Sequence, residues 1–202
     1  MMTVMQTKSS KRPGASRKEV THERIVEVAS RAIRRSGYDG TGVADIMKEA
    51  GLTHGGFYAH FASREDLLTE AGGRACDDSL ALASRAAEAA PPGQSLGAIV
   101  NAYMSPQHIA AIERGCPVSA LGSELPRQAL ELRQRVTAHI KRMVELVARQ
   151  FPDMGEAQAH EKAMSAVCSL IGTTIVARAV DDPAFSAALC DATTKQLLPD
   201  AG

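Results

Sequence analysis

Apolar residues recur at helical spacing through most of the chain, and the clearest short pattern begins at Val43. Four apolar residues there fall at positions i, i+3, i+4 and i+7 and so share one face of a helix. They are Val43, Ile46, Met47 and Ala50. Gly51 follows, and glycine stops a helix because it takes the left-handed conformation without a Cβ penalty. The pattern predicts a short helix that ends in a tight glycine turn.

A second short helix is predicted from 54 to about 61, with Thr53 as its N-cap. Two phenylalanines four residues apart can anchor this helix in the core. The adjacent Gly55 and Gly56 each cost roughly 1 kcal/mol relative to alanine in a helix interior, so their placement needs a reason. Close approach of the backbone to another surface, such as DNA, supplies that reason.

Two short helices joined by a glycine turn form the unit that duplex DNA admits into its major groove. Residues of this unit that lie off the apolar stripes offer hydroxyl, imidazole and guanidinium donors to phosphates or base edges. The candidate DNA-binding residues are Thr41, Thr53, His54, Gly55, Gly56, Tyr58, His60 and Arg64.

The stretch from 24 to 68 resembles the TetR family of bacterial transcriptional regulators. The residues that carry the resemblance are Gly37, Tyr38, Thr41, Asp45, Ile46, Ala50, Gly51, Tyr58, His60, Phe61, Arg64, Leu67 and Leu68. It implies an all-helical homodimer that binds a pseudo-palindromic operator, most often as a repressor, and is released by a small-molecule effector. Gly42 departs from the family, which often has Ser or Thr there, so a phosphate contact is lost or passes to Thr41. Arg64 stands where lysine is common and still serves a phosphate.

Composition supports an all-α fold, because the 202 residues contain 3% aromatic residues, no tryptophan and few strand patterns. The net charge of zero argues against a nucleic-acid partner, but the distribution of charge reverses that conclusion. Residues 1–64 hold 11 Lys and Arg against 6 Asp and Glu, whereas residues 65–202 hold 12 against 17. A basic front and an acidic body suit a DNA-binding domain on a ligand-binding body.

Three regions are predicted along the chain. Residues 1–18 carry basic residues and no acid, which is typical of a disordered arm, either a solvated tail or a segment that reaches a DNA groove. Residues 19–63 form the helix-turn-helix DNA-binding domain, and residues 64–202 form a helical body for effector binding and dimerisation. The first helix starts near Ser16, which has capping-box spacing to Glu19, although Thr21 is a rival cap.

The sequence of the body predicts a series of helices that are separated by proline and glycine residues. A long helix runs from Ser63 to about 90, with Leu82 among its inward residues; its two central glycines, Gly72 and Gly73, indicate either a flexible joint or close packing. Shorter helices follow at 95–104, 105–114 and 118–124. The helix 126–151 has an apolar face that includes Leu130. The last two helices, 156–180 and 183–198, are the predicted dimer interface, since the first of them is apolar over much of its circumference.

The effector site is predicted from large or polarizable residues on the body helices, although plain core packing is the simpler explanation of each of them. They are Tyr103, Met104, Cys116, His139, Met143 and Cys168. Cys116 stands at a predicted helix start, where amide dipoles lower the pKa of a thiol. Some members of the family sense electrophiles or oxidants through a cysteine in a Gly-Cys pair, so a thiol-based repressor is an alternative, and a buried inert cysteine is another.

Other function classes lack their sequence patterns. The chain has no HExxH, GxSxG or GxxxxGK, its six histidines are scattered, and its four cysteines form no CxxC pair. We therefore predict no enzyme activity, no metal and no cofactor; a thiol enzyme using Cys116 and a helical protein-binding adaptor are remote alternatives. No apolar run reaches the 18 residues of a membrane span and no signal peptide is evident, which predicts a cytoplasmic protein.

Overall fold

All regular secondary structure within residues 16–199, the part that the computed structural model describes, is helical, which confirms the predicted all-α class. Three short segments are 3₁₀ helices, at His54–Ala59, Ile112–Arg114 and Leu125–Arg127. The α-helices are α1 (Arg17–Ser36), α2 (Val43–Glu49), α3 (Arg64–Ala89), α4 (Ser95–Tyr103), α5 (Pro106–Ala110), α6 (Pro117–Leu121), α7 (Leu130–Ala148), α8 (Glu156–Ala179) and α9 (Pro183–Leu197).

The start of α1 is fixed by a capping box. The hydroxyl of Ser16 accepts from the backbone N–H of Glu19, and the Glu19 carboxylate accepts from the N–H of Ser16, so Ser16 rather than Thr21 is the cap. The helix takes in Arg17 and Lys18, which the sequence assigned to the basic arm. The rest of that predicted arm, residues 1–15, lies outside the described residues.

The turn after α2 has the geometry that the glycine predicts. Gly51 has a φ of 69°, in the left-handed region. Its N–H donates to the carbonyl of Lys48 at 3.0 Å, and the N–H of Leu52 donates to the carbonyl of Met47 at 2.8 Å. These are the two hydrogen bonds of a Schellman motif, which satisfy the last carbonyls of the helix and reverse the chain within two residues.

The second helix of the unit is a 3₁₀ helix and ends at Ala59, two residues earlier than predicted. Thr53 occupies the N-cap position, but its hydroxyl makes no capping hydrogen bond. A segment of only six residues commonly adopts this tighter 3₁₀ form.

Helix α3 runs without a break through Gly72 and Gly73, and Gly72 shows the close packing that was the alternative to a flexible joint. A Cβ atom at Gly72 would collide with the side chain of Leu132 on α7 and lie 3.2 Å from the hydroxyl of Tyr38. The small residue therefore lets α3 and α7 pack closely beside the first helical domain.

Two leucines predicted to face inward do not. Leu82 on α3 is 43% exposed and Leu130 at the start of α7 is 67% exposed. Leu132 and Val136 are the buried residues of α7 in this region, because the helix begins at Leu130 and not at 126, which leaves Leu130 in its exposed first turn.

The first helical domain and the body share part of their core. The apolar cluster around Ile25, Ile46 and Phe57 extends to Leu121 of α6 and to Leu132 of α7. A second cluster fills the body between α4, α7 and α8. The segment 112–124 lies at the boundary, which makes it a physical link between the two regions. No helix within residues 16–199 is long and apolar enough to cross a membrane.

Candidate nucleic-acid interface

The 3₁₀ helix His54–Ala59 is fixed to the core by aromatic side chains. Phe57 is 2% exposed and Phe61 is 4% exposed, and their rings stack with centroids 5.5 Å apart. Tyr58, between them, points away: it is 73% exposed and meets Phe57 only through an edge contact at 5.1 Å. The buried pair therefore presents the opposite side of the short helix to solvent.

The side that faces solvent holds four of the predicted DNA-binding residues, and we call it the outer face. It consists of Thr53, His54, Gly55 and Tyr58, all exposed. Its hydroxyl and imidazole groups are placed to donate to phosphate oxygens or to base edges. The turn at Gly51 sets the angle at which α2 holds this face.

The fold itself does not require glycine at 55 or 56. Neither residue has a positive φ, since within residues 16–199 only Gly37, Gly51 and Gly93 do. A Cβ at Gly55 would meet nothing within 4 Å, and one at Gly56 would make ordinary contacts of 3.7 and 3.8 Å with Met47 and Thr53. Because neither backbone strain nor packing explains these residues, the open surface in front of them remains as the reason for their small size.

Two of the residues predicted to contact DNA form hydrogen bonds within the protein. Thr41 is buried, and its hydroxyl donates to the carbonyl of Gly37 at 2.6 Å, so it closes the loop after α1 and is not available to a phosphate. The exposed guanidinium of Arg64 donates to the carbonyls of Tyr38 and Thr41, the latter at 3.2 Å. Arg64 thus ties that loop to α3, a role that sequence spacing did not reveal.

His60 lies half-buried behind the outer face. Burial, followed by the nearby charges of His22 and Lys18, lowers the pKa of His60, so its imidazole is neutral near pH 7. Its Nδ1 atom is buried and has no hydrogen-bond partner within residues 16–199. His60 therefore offers a neutral hydrogen-bonding group at the edge of the surface instead of a charge.

Lys48 is a candidate that the sequence interpretation missed. It is exposed in the last turn of α2, immediately before the glycine turn, and none of the carboxylates within residues 16–199 pairs with it. A cation at this place stands beside the outer face and suits a phosphate contact. The signal in the sequence was a basic residue one turn before the helix-stopping glycine.

Four of the six predicted effector residues surround one space between α4, α7 and α8, which we call the body cavity. They are Tyr103, Cys116, His139 and Met143, joined by aliphatic residues of α8. Met104 is buried but does not line this cavity, and Cys168 is exposed on α8. The cavity volume is about 10 Å³, room for about one water molecule, so a larger ligand has to displace its walls.

Burial shifts the pKa values of His139 and Tyr103 in the body cavity in the directions that favour their uncharged forms. Desolvation lowers the pKa of His139 to about 4, and its buried Nδ1 atom has no partner within residues 16–199. Burial raises the pKa of Tyr103. The thiol of Cys116 is 3% exposed, and its backbone N–H donates to Nε2 of His108 at 3.3 Å. His108 in turn donates through Nδ1 to the carbonyl of Tyr103 at 2.6 Å, which fixes the cavity wall.

The wall of the body cavity is also bonded to α1. The buried guanidinium of Arg34 donates to the carbonyl of Gly115, next to Cys116, at 3.0 Å. Nearby, the backbone N–H of Tyr38 donates to the Glu124 carboxylate at 2.8 Å. The segment 112–124 therefore contacts the cavity on one side and the helix-turn-helix domain on the other.

Similarity to known proteins agrees with this geometry. A model of the bacterial regulatory proteins of the tetR family matches residues 25–71. The HTH-type transcriptional regulator YfiR of Bacillus subtilis is 26% identical over 150 residues, 70% of either chain. The regulator AcrR of Shigella flexneri is 38% identical over 50 residues, which are 25% of this chain and 23% of AcrR.

Solved structures share the whole fold. A TetR-family regulator from Agrobacterium tumefaciens superposes with a TM-score of 0.74 at 22% identity, covering 89% of this chain and 98% of its own. The reduced form of NemR from E. coli has the same TM-score at 15% identity, covering 88% and 95%. The glycine turn, the anchored short helix and the helical body define a helix-turn-helix DNA-binding protein. Over residues 25–71 the chain matches the TetR family of bacterial regulatory proteins, and its fold is the one that solved regulators of this family have.

Proposed function

We propose that the outer face of the 3₁₀ helix binds a pseudo-palindromic operator and that the protein represses transcription until a small effector releases it. The observation that carries the proposal is the pair of glycines at 55 and 56, for which the fold has no need of its own. A backbone without side chains can approach the duplex closely. Lys48, exposed in the last turn of α2, supplies a cation for phosphates.

A homodimer would present two such faces. Four large apolar side chains on α8 and α9 remain exposed in the protomer, between 45% and 52% of their surface; they are Met164, Ile175, Val176 and Phe185. The predicted interface of 156–180 and 183–198 therefore has apolar area to bury in a four-helix bundle. Two recognition helices on a two-fold axis would contact half-sites about 34 Å apart along the duplex.

Release by an effector would run through the segment 112–124. Because the body cavity holds only about 10 Å³, a ligand that enters it has to push Cys116 and its neighbours outward. Gly115 would move with Cys116, and its carbonyl holds Arg34 of α1. A ligand that prefers the displaced arrangement by about 1 to 3 kcal/mol is sufficient to shift DNA binding, the range common for allosteric coupling.

Two residues of the outer face are expected to affect DNA binding in different ways. Tyr58→Ala should weaken binding to all duplexes alike, because a phenol hydroxyl at the rim contacts phosphate, whereas His54→Ala should change which sequence is preferred. Selection of bound duplexes from a random pool, followed by affinity measurements on the selected sequence and on a scrambled one, checks both. The opposite pattern would place the base-reading residues elsewhere.

A thiol-based response through Cys116 is a second candidate, supported by its position in the cavity wall and by the fold shared with the reduced form of NemR. Since Cys116 is buried, an electrophile reaches it only when the wall opens. Under this candidate Cys116→Ser keeps DNA binding but no longer releases DNA on treatment with N-ethylmaleimide, while Cys168→Ser, at an exposed thiol, behaves like the parent. Equal release by the parent and Cys116→Ser would exclude it.

A further inference from the structure

A cleft lined mainly by arginines lies where α1, α3 and the end of the segment Ile112–Arg114 meet. Its volume is about 380 Å³, within the usual range of small-molecule sites. Five arginines from these three elements line it, and Ala81 and Leu82 form its apolar side. The arginines are Arg31, Arg34, Arg74, Arg85 and Arg114. We call this region the arginine cleft.

The carboxylates of the arginine cleft neutralise only part of its charge. Glu27 pairs with Arg31, and Asp78 pairs with Arg74 at 2.9 Å. Asp78 is also 3.8 Å from the guanidinium of Arg34, a buried cation whose side chain is 2% exposed. Five positive and two negative side chains leave the lining with an excess of three positive charges, and Glu23, just outside the lining, pairs with Arg74 at 3.0 Å and reduces that excess to two.

Two of the arginines in the cleft form no ion pair with residues 16–199. Arg85 and Arg114 are exposed, and neither has a carboxylate within 4.0 Å among residues 16–199. Unpaired guanidinium groups at a concave surface match oxyanions, because their planar N–H forks bond phosphate or carboxylate oxygens in pairs. Leu82, 43% exposed beside them, gives the same cleft an apolar contact surface.

The position of the cleft separates it from the DNA interface. Arg85 lies 21 residues after Arg64 along the continuous helix α3, roughly 30 Å at the rise of an α-helix. The cleft joins residues of α1, which belongs to the helix-turn-helix domain, to a residue of the body segment 112–124. An anion bound there would bridge the two regions.

We propose that the arginine cleft binds a small organic dianion, with its phosphate-like group held by Arg85 and Arg114 and its apolar part against Leu82. The excess positive charge, the unpaired arginines and the ligand-sized volume select this class. A neutral compound lacks the charge, and a duplex would bind a broad exposed surface in preference to a cleft between two helices. The proposal is independent of the proposed DNA-binding function.

Phenyl phosphate, a dianion with one aromatic ring, is a suitable probe, and titration calorimetry on the full-length protein without DNA measures its binding. We expect binding to weaken at least tenfold in the double variant Arg85→Gln/Arg114→Gln, with an unchanged thermal midpoint because neither arginine has an ion pair to lose. The matched control is Arg127→Gln/Arg133→Gln, which removes the same charge from exposed residues outside the cleft and should bind within twofold of the parent.

Benzyl alcohol, which has a ring but no charge, should not bind. The proposal is overturned if phenyl phosphate fails to bind the parent at millimolar concentration, or if the two double variants weaken it equally. Direct binding of a random-sequence duplex that is lost in Arg85→Gln/Arg114→Gln but kept in Arg127→Gln/Arg133→Gln would assign these arginines to nucleic acid and also overturn it.

Discussion

Replacing Gly55 by alanine is expected to leave the protein as stable as the parent, or slightly more stable, and to weaken its binding to operator DNA at least tenfold. A Cβ at this position meets nothing within 4 Å in the protein, and the backbone has no positive φ that alanine would strain. Alanine is favoured over glycine within a helix by up to about 1 kcal/mol. The added methyl group would instead stand between the backbone and the DNA, where a tenfold loss corresponds to about 1.4 kcal/mol.

Thermal unfolding and fluorescence anisotropy with a selected duplex measure the two effects. Gly97→Ala is the matched control, because Gly97 also lies within a helix but on the body, and a Cβ added there would meet only a side-chain atom of Leu198, at 3.8 Å. The control should keep the parental DNA affinity. Parental affinity in Gly55→Ala would show that the backbone of the 3₁₀ helix does not approach the duplex.

Replacing Arg34 by methionine should cause the largest loss of stability of the substitutions considered. Its buried guanidinium bonds the carbonyls of Ser30 and Gly115, each at 3.0 Å, and the hydroxyl of Ser30 at 2.9 Å. Methionine fills similar volume but leaves the buried carbonyl of Gly115 and the hydroxyl of Ser30 without this donor. Breaking a buried charged network of this kind costs about 3 kcal/mol, which lowers the unfolding midpoint of a chain of this size by roughly 6 to 12 °C.

The neighbouring Arg35 provides a strict control. It is exposed and pairs with Glu49 at 2.9 Å and Glu113 at 3.0 Å, so Arg35→Met removes surface ion pairs worth less than about 1 kcal/mol. Differential scanning calorimetry on both variants separates the buried link from general loss of charge. Equal losses in the two would show that the bond between α1 and Gly115 does not hold the domains together.

Local chemistry made the helix ends predictable. Ser16 and Gly51 act through hydrogen bonds within a few residues, so their roles follow from spacing alone. The 3₁₀ form of the second helix was not predicted. Leu130 was wrongly assigned to the inward face of α7, because the helix begins only at this residue and not at 126.

Contacts between residues that are distant in the chain could not be predicted from the sequence pattern. Thr41 and Arg64 have the donors that a DNA contact needs, but only the fold shows that those donors bond Gly37, Tyr38 and Thr41. Arg34 lies in the last turn of α1, but its buried guanidinium bonds Gly115, which is 81 residues away in the chain. Four of the effector candidates do line the body cavity. Their spacing in the sequence could not predict how small the volume of that cavity is.

The most direct test of the central claim is a salt titration of binding to a duplex selected from a random pool, with the mass of the complex measured in the same samples. We expect two protomers on one duplex with two half-sites, and an affinity that falls steeply as salt rises, because phosphate contacts release counterions. A monomer in the complex, or no retention of any duplex at low ionic strength, would contradict the assignment of the outer face to DNA.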